Sequence, residues 1–143
     1  MITTHLIPAL DDLPAAAQLV LDAAGTDRVI CFEGEIGAGK TTLIQAIGRS
    51  LGIREAVVSP TFSLVNEYSF GEDNIAYHLD LYRLESTEEA LSIGVEEYCY
   101  SDHYCFVEWP DVVRGLLPER YLTVKLEIVE HNRRKMLLLK NVL

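Results

Sequence analysis

The feature that most constrains this chain is a glycine-rich loop between an apolar segment and an amphipathic one. Residues Gly34–Thr41 match the pattern G-x-x-x-x-G-K-[ST] at every fixed position. The apolar run Val29–Phe32 precedes the loop and predicts a buried strand. Lys40–Leu51 follows with apolar residues on one helical face, and Gly52 ends the predicted helix. A chance match to this pattern is on the order of one in a few hundred for a chain of this length. The sequence therefore predicts a strand–loop–helix unit that binds phosphate.

The residue types in the loop suit a nucleoside triphosphate, and ATP with Mg²⁺ is the predicted ligand. Glycines allow several backbone N–H groups to point at one phosphate, and the following helix directs its positive end at the anion. Lys40 supplies positive charge for the β- and γ-phosphates, and the Thr41 hydroxyl is a ligand for Mg²⁺. The predicted nucleotide contacts in the loop are Glu35, Ile36, Gly37, Ala38, Gly39, Lys40, Thr41 and Thr42. The alternative is a tight strand-to-helix turn whose lysine is merely solvated.

Two carboxylates are candidates for the chemistry at the phosphates. Glu108 ends the apolar run Tyr104–Val107, where phosphate-loop proteins commonly carry a carboxylate of the Mg²⁺ shell; the alternative is an exposed strand-end glutamate. Asp80 lies within residues 75–82, on the same face as His78 if this segment is a strand. It can orient the attacking water or help to hold the metal, although a half-exposed strand with a polar face has the same pattern. The sequence does not decide whether Asp80 or Glu108 positions the water.

Three further residues lie near these motifs, and two of them, Trp109 and Thr61, have more than one interpretation. His78 is interpreted as structural. Trp109, next to Glu108, either packs against the site or fills the core. Thr61, in the segment Ser59-Pro60-Thr61, either senses the γ-phosphate as switch threonines do or belongs to an ordinary proline turn.

The remaining patterns predict a three-layer α/β domain. A helix is predicted over 12–24, closed by Gly25, and a capping box of Ser86 and Glu89 predicts another that ends near Gly94. The other predicted strands are residues 2–7 at an edge, a hairpin of 62–70 and 75–82 around 71–74, Tyr104–Val107, and a closing hairpin of 121–129 and 136–142. Because hairpins interleave with the strand–loop–helix unit, the sheet is predicted to be mixed. Residues 1–143 are expected to form a single P-loop NTPase-like ATPase domain.

The charge balance disfavours one class of function. The chain has 12 basic and 22 acidic residues, a net charge of −10, and its basic residues cluster only at 133–135. A protein that grips nucleic acid alone normally carries a basic patch, so direct binding of RNA or DNA is not expected. An acidic surface suits a protein partner better.

Two other compositional features bear on where the chain works. Cys31, Cys99 and Cys105 lack metal-ligand spacing and are interpreted as buried free thiols of a reducing compartment. No apolar run approaches the roughly 20 residues of a membrane span, and the N-terminus lacks the pattern of a secretory signal. We therefore expect a cytoplasmic protein without a membrane partner.

Four motifs in order resemble one known family. They are GEIGAGKTTL at 34–43, SPTFSL at 59–64, HLDLYR at 78–83 and FVEWP at 106–110. The first is common to many nucleotide-binding families, whereas the other three in this order and spacing are much more specific. Together they resemble the bacterial TsaE (YjeE) family of P-loop ATPases, over roughly residues 1–140.

The resemblance implies a role and a set of partners. Members of that family take part in making N6-threonylcarbamoyladenosine at position 37 of tRNA, together with the partners TsaB and TsaD, and hydrolyse ATP slowly alone. The tRNA would be bound indirectly, through the complex. Carried onto this chain, the resemblance implies that Lys40 binds phosphate, that Thr41 and Glu108 serve Mg²⁺, and that Asp80 is a catalytic or metal-linked carboxylate. It also implies that Thr61 lies in a switch-like loop and that Trp109 lies beside the site.

Other function classes also fit the phosphate loop taken alone. A small-molecule kinase requires an acceptor pocket and usually a mobile lid with arginines, but residues 84–103 contain neither Arg nor Lys. A non-catalytic adaptor that signals its nucleotide state requires no hydrolysis. A GTPase is disfavoured because the chain has no Asn-Lys-x-Asp segment for guanine.

Overall fold

The computed structural model describes residues 2–60 and 64–141. Within these residues, seven strands form one sheet, and four α-helices pack against it. The strands are β1 (Ile2–Ile7), β2 (Val29–Glu33), β3 (Val65–Phe70), β4 (Asn74–Asp80), β5 (Tyr104–Glu108), β6 (Tyr121–Ile128) and β7 (Arg134–Asn141). The helices are α1 (Leu13–Ala24), α2 (Lys40–Leu51), α3 (Thr87–Ser92) and α4 (Val95–Cys99). Shorter 3₁₀ segments span Leu10–Asp12, Pro110–Leu116 and Glu130–Asn132.

The sheet is mixed, as the sequence predicts. Its strand order is β1-β7-β6-β2-β5-β4-β3. The pairs β6–β2, β2–β5 and β5–β4 are parallel, whereas β1–β7, β7–β6 and β4–β3 are antiparallel. The carboxyl ends of β2, β5 and β4 therefore meet at one edge of the sheet, where α/β proteins commonly bind ligands.

Helices cover both faces of the sheet, which confirms the predicted three layers. Alternate residues of β2 serve the two cores: Ile30 and Phe32 face α1 and α2, and Val29 and Cys31 face α3, α4 and the 3₁₀ segment after β5. A strand buried on both faces has the continuous apolar pattern seen in this one. The rings of Phe32 and Phe106 meet edge to face with centroids 6.3 Å apart, which ties β2 to β5 beneath the site.

Several element boundaries differ from those predicted. The strand predicted over 75–82 ends at Asp80, because the Asp80 carboxylate accepts a hydrogen bond from the Tyr82 N–H and a turn then closes from Leu84 N–H to Leu81 O. In the strand predicted over 62–70, residues 62 and 63 lie outside the described residues, and β3 begins at Val65. The predicted four-residue turn shortens to 71–73 because Asn74 already pairs in β4.

The helix predicted from the capping box is confirmed as α3, and a further short helix, α4, follows it. Ser86 caps α3 as expected, since its hydroxyl accepts from the Glu89 N–H at 3.2 Å. The end near Gly94 is as predicted, since this left-handed residue separates α3 from α4, whereas α4 itself was not predicted. The closing hairpin is confirmed with β6 and β7, and it turns through His131 and Asn132, both at positive φ.

The prediction that the three cysteines are buried free thiols is also confirmed. Cys31, Cys99 and Cys105 are all buried and free. Burial raises the pKa of the Cys31 thiol to about 12, so this thiol stays protonated at neutral pH. In the part of the chain that the structure describes, no helix is long and apolar enough to span a bilayer.

Candidate nucleotide-binding site

The phosphate loop connects the carboxyl end of β2 to the first turn of α2. Gly39 has a φ of 102°, a left-handed conformation that glycine adopts without strain, and it starts α2 at Lys40. At Gly34 the reason for glycine is space, because an added Cβ would lie 2.7 Å from the backbone oxygen of Leu126 on β6. The loop is thus pressed against the neighbouring strand, and the amino end of α2 opens into the cavity beside it.

Lys40 is the buried cation of this loop. Its side-chain ammonium donates hydrogen bonds to the backbone oxygens of Gly34 and Glu35, and it lies 4.0 Å from the centroid of the Trp109 ring. Burial lowers the pKa of Lys40 from its ordinary value, and the nearby carboxylates of Glu108 and Asp80 oppose that shift. The Lys40 ammonium is therefore surrounded by backbone oxygens and carboxylates, and a bound phosphate could take the place of the backbone oxygens as its hydrogen-bond acceptor.

Glu108 and Asp80 are direct cross-strand neighbours. They end β5 and β4, which run parallel, and they are register partners. Glu108 is almost fully buried, and each of its carboxylate oxygens lies 3.2 Å from the Thr41 hydroxyl oxygen. Asp80 is held differently, since it accepts from the Ser59 hydroxyl at 2.8 Å and from the Tyr82 N–H at 3.1 Å. The two carboxylates thus lie side by side with separate hydrogen-bond partners.

Trp109 lies at the site and not in the core. Its backbone is left-handed (φ 58°, ψ 62°), which is unusual for a bulky residue and is found at functional sites. This turn brings the indole over Lys40 and against Tyr82, whose ring centroid is 5.0 Å from that of Trp109. The two rings form one wall of the phosphate end of the cavity.

These groups line one cleft of about 390 Å³, within the range typical of small-ligand sites. Its lining includes most of the residues that the sequence singled out, namely Glu35, Ile36, Gly37, Gly39, Lys40, Thr41, Thr42, Asp80, Glu108 and Trp109. Ala38 is buried behind the loop and lines the adjacent cavities. Thr61 lies outside the described residues, so its predicted role stays a prediction.

Three residues near the site have functions that sequence reasoning missed. Tyr82 lines the cleft, and His78, interpreted from sequence as structural, contacts Glu108 directly. Arg134 on β7 donates hydrogen bonds to the backbone oxygens of Ala38 at 2.8 Å and Gly37 at 3.3 Å. The HLDLYR motif contains the first two residues, whereas no local pattern indicated that Arg134 reaches the loop.

A second cavity of about 330 Å³ adjoins the other side of the loop. It is mostly apolar and is bounded by Ile7, Ala9, Leu10, Leu13 and Leu126, with Arg134 and Asn132 at its polar side. Gly37, Gly39 and Thr42 line both cavities, so the two are separated only by the phosphate loop.

The donor set of the cleft suits Mg²⁺ bound together with phosphates. A hydroxyl (Thr41) and a carboxylate (Glu108) are the hard oxygen ligands that Mg²⁺ prefers, and Mg²⁺ is usually held by one or two carboxylates plus substrate phosphates. Within residues 2–60 and 64–141 there is no group of three or more His, Cys, Asp or Glu side chains that forms a metal site alone. This donor set therefore fits a metal that arrives with its nucleotide.

The fold and the site together define a P-loop protein of the α/β class, with a glycine-rich loop between a central parallel strand and its helix. A family model described as threonylcarbamoyl adenosine biosynthesis protein TsaE matches residues 7–136. This chain belongs to the TsaE family, and the resemblance noted from its motifs is confirmed.

Individual relatives agree with this assignment. The tRNA threonylcarbamoyladenosine biosynthesis protein TsaE of Bacillus subtilis is 36% identical over 114 residues, which are 80% of this chain and 70% of that protein. The protein of the same description from Haemophilus influenzae is 37% identical over 105 residues, covering 73% of this chain and 66% of the relative. The crystal structure of Bacillus subtilis YdiB superposes with a TM-score of 0.78 at 27% identity, over 99% of this chain and 86% of that one.

Proposed function

We propose that this chain, acting as one ATPase domain over residues 1–143, binds ATP with Mg²⁺ and hydrolyses it in support of tRNA N6-threonylcarbamoyladenosine formation. The observation that carries the proposal is the convergence of Lys40, Thr41, Glu108 and Asp80 on a single cleft at the end of parallel strands. The TsaE family is involved in that biosynthesis. Within the same proposal, TsaB and TsaD are the partners, tRNA is contacted through them, and the compartment is the cytoplasm.

The proposed mechanism is positional and electrostatic. Lys40 and the loop N–H groups bind the β- and γ-phosphates and stabilise the charge that develops on them. Thr41 and Glu108 would hold Mg²⁺, which would supply positive charge to the phosphates. Glu108 is already engaged by Thr41 and His78. Asp80 accepts hydrogen bonds from the Ser59 hydroxyl and the Tyr82 N–H and is not tied to Thr41, so we assign it the task of orienting the attacking water.

We further propose that the adenine base occupies the apolar cavity on the far side of the loop. A base is flat and largely apolar on its faces, and aliphatic side chains such as Leu10 and Leu13 line that cavity. This assignment predicts that Leu10→Asp weakens ATP binding while leaving inorganic triphosphate binding unchanged.

The direct test is ATP hydrolysis by the chain alone, and then with purified TsaB, TsaD and unmodified tRNA, scoring modified adenosine in parallel. Hydrolysis that the partners accelerate, together with sustained modification, is the expected result. Lys40→Ala should abolish both, whereas Arg49→Ala, at the opposite end of α2, should behave as wild type. Equal activity of Lys40→Ala and wild type would refute the site.

The same assay separates the alternative classes. A small-molecule kinase would transfer phosphate to an acceptor, so a phosphorylated small molecule would appear in place of inorganic phosphate. A non-catalytic adaptor would bind ATP and sustain modification without hydrolysis, even with both partners present. If active partners neither stimulate ATP hydrolysis nor yield more modified adenosine when this chain is present, only the assignment of the nucleotide site would remain.

A further inference from the structure

His78 is a fully buried polar side chain that makes one polar side-chain contact within the part of the chain that the structure describes. It lies on β4, two residues before Asp80, and none of its surface is exposed. Its Nε2 atom lies 2.7 Å from Glu108 Oε2, whereas its buried Nδ1 atom has no hydrogen-bond partner among residues 2–60 and 64–141. Burying a polar atom without a partner costs free energy. An apolar residue would fill the same space without that cost, so the contact with Glu108 is the feature that distinguishes histidine here.

The contact has a defined direction. Carboxylate oxygens accept hydrogen bonds, so the imidazole Nε2–H is the donor in this contact and Glu108 Oε2 is the acceptor. This bond holds one carboxylate oxygen, while both oxygens remain at 3.2 Å from the Thr41 hydroxyl oxygen. The carboxylate is thus fixed between β4 and the first turn of α2. Without His78, its rotation about the last side-chain bond would be restrained only by Thr41.

We propose that His78 is a positioning residue that orients the Glu108 carboxylate for Mg²⁺ while making no contact with nucleotide or metal itself. The inference rests on the proposed function, because it assumes that Glu108 and Thr41 serve Mg²⁺. Histidines and carboxylates in the outer shell of a metal site fix the orientation of the direct ligands, and their loss lowers metal affinity. His78 performs this task from the core side of the sheet, where water cannot replace it.

The test compares two substitutions of His78 by ADP binding, measured calorimetrically with Mg²⁺ and with EDTA. His78→Gln keeps an N–H donor of similar reach, and His78→Leu keeps the volume but has no donor. In EDTA both variants should bind ADP within about twofold of wild type, because the phosphate loop does not depend on Glu108. In a Mg²⁺ titration of ADP binding, His78→Leu should need at least about 10-fold more Mg²⁺ than wild type to reach half of the full effect. His78→Gln should stay close to wild type.

A double-mutant cycle with Glu108→Gln identifies the route of the effect. If His78 acts through Glu108, His78→Leu should shift the Mg²⁺ requirement little further once Glu108 has been changed. If His78→Leu does not fold, His78→Asn replaces it, since its amide is too short to reach Glu108.

The outcomes separate the inference from the function on which it rests. Unchanged Mg²⁺ dependence in His78→Leu, or an equal loss of ADP affinity in Mg²⁺ and in EDTA, would overturn the positioning role and leave the nucleotide site intact. Equal defects in His78→Gln and His78→Leu would also overturn it. A wild-type chain that binds ADP in neither condition would refute the proposed function, and the inference with it.

Discussion

Arg134 is the residue through which the C-terminal hairpin holds the phosphate loop. Its guanidinium donates to the backbone oxygens of Ala38 at 2.8 Å and Gly37 at 3.3 Å, across 96 and 97 positions of sequence. These carbonyls point toward β7, and they are held there on the side of the loop that adjoins the second cavity. Arg134→Met removes both bonds while keeping most of the length of the side chain. We expect this change to disorder the loop and to weaken nucleotide binding.

The size of the effect follows from the two bonds. A typical hydrogen bond contributes about 0.5–1.5 kcal/mol net, and because Arg134 is only partly buried we use the neutral range. The bond to Ala38 has an ordinary length and is assigned about 1 kcal/mol, and the longer bond to Gly37 about 0.5 kcal/mol. The loss of about 1.5 kcal/mol corresponds to about a 10-fold weaker affinity for ADP.

The adjacent arginine supplies a matched control. Arg133 carries the same charge, and its guanidinium donates a long hydrogen bond of 3.4 Å to the backbone oxygen of Glu130 in the turn. Arg133→Met should therefore change ADP affinity by less than about twofold, which reports only the loss of one distant positive charge. Isothermal titration calorimetry with ADP measures both variants without interference from hydrolysis. Equal affinities of Arg133→Met and Arg134→Met would refute the claim that the guanidinium bonds order the loop.

Two further predictions concern the loop and its lysine. Gly34→Ala places a Cβ 2.7 Å from the Leu126 backbone oxygen and should lower the free energy of unfolding by about 1–3 kcal/mol. Gly115→Ala, where an added Cβ has nothing within 4 Å, is the control and should be nearly neutral. Equal midpoints of the two variants in urea denaturation would contradict this prediction. Because burial lowers the pKa of Lys40 from its ordinary value of 10.5, the free protein loses this proton at a lower pH than the unfolded chain does, and bound phosphate favours the protonated form. As pH rises through the lowered pKa of Lys40 toward 10.5, ADP affinity should therefore fall and ADP binding should take up protons. Lys40→Arg should show a flatter dependence of ADP affinity on pH. Identical profiles of the two proteins, measured by calorimetry from about pH 7 to about pH 10, would contradict the assignment.

Local pattern was sufficient wherever a structural feature depends on residues close in sequence. The helix over Lys40–Leu51 was predicted with its observed bounds, because apolar periodicity and Gly52 are both local signals. A boundary shifted where a side chain intervened, as at Asp80, whose carboxylate ends β4, and the short helix α4 that follows Gly94 was not predicted. These differences arise from single hydrogen bonds or dihedral angles, which secondary-structure propensities do not predict.

The sequence by itself determined the class of ligand and the family. The phosphate loop fits its pattern completely, and the three motifs that follow it distinguish this family from others that share the loop. Their residue types also identified Glu108 and Asp80 as the carboxylates of interest. The spacing between these motifs, however, does not show which of them contact one another in the folded protein.

Only the tertiary structure decided how the groups meet. The parallel order β2-β5-β4 makes Asp80 and Glu108 register partners and brings Glu108 to Thr41 across 67 positions of sequence. The same strand order turns His78, interpreted from sequence as structural, toward Glu108, and β7 carries Arg134 to the loop. The physical reason is that strand order sets contacts between distant segments, and strand order depends on how all the elements bury their apolar faces together.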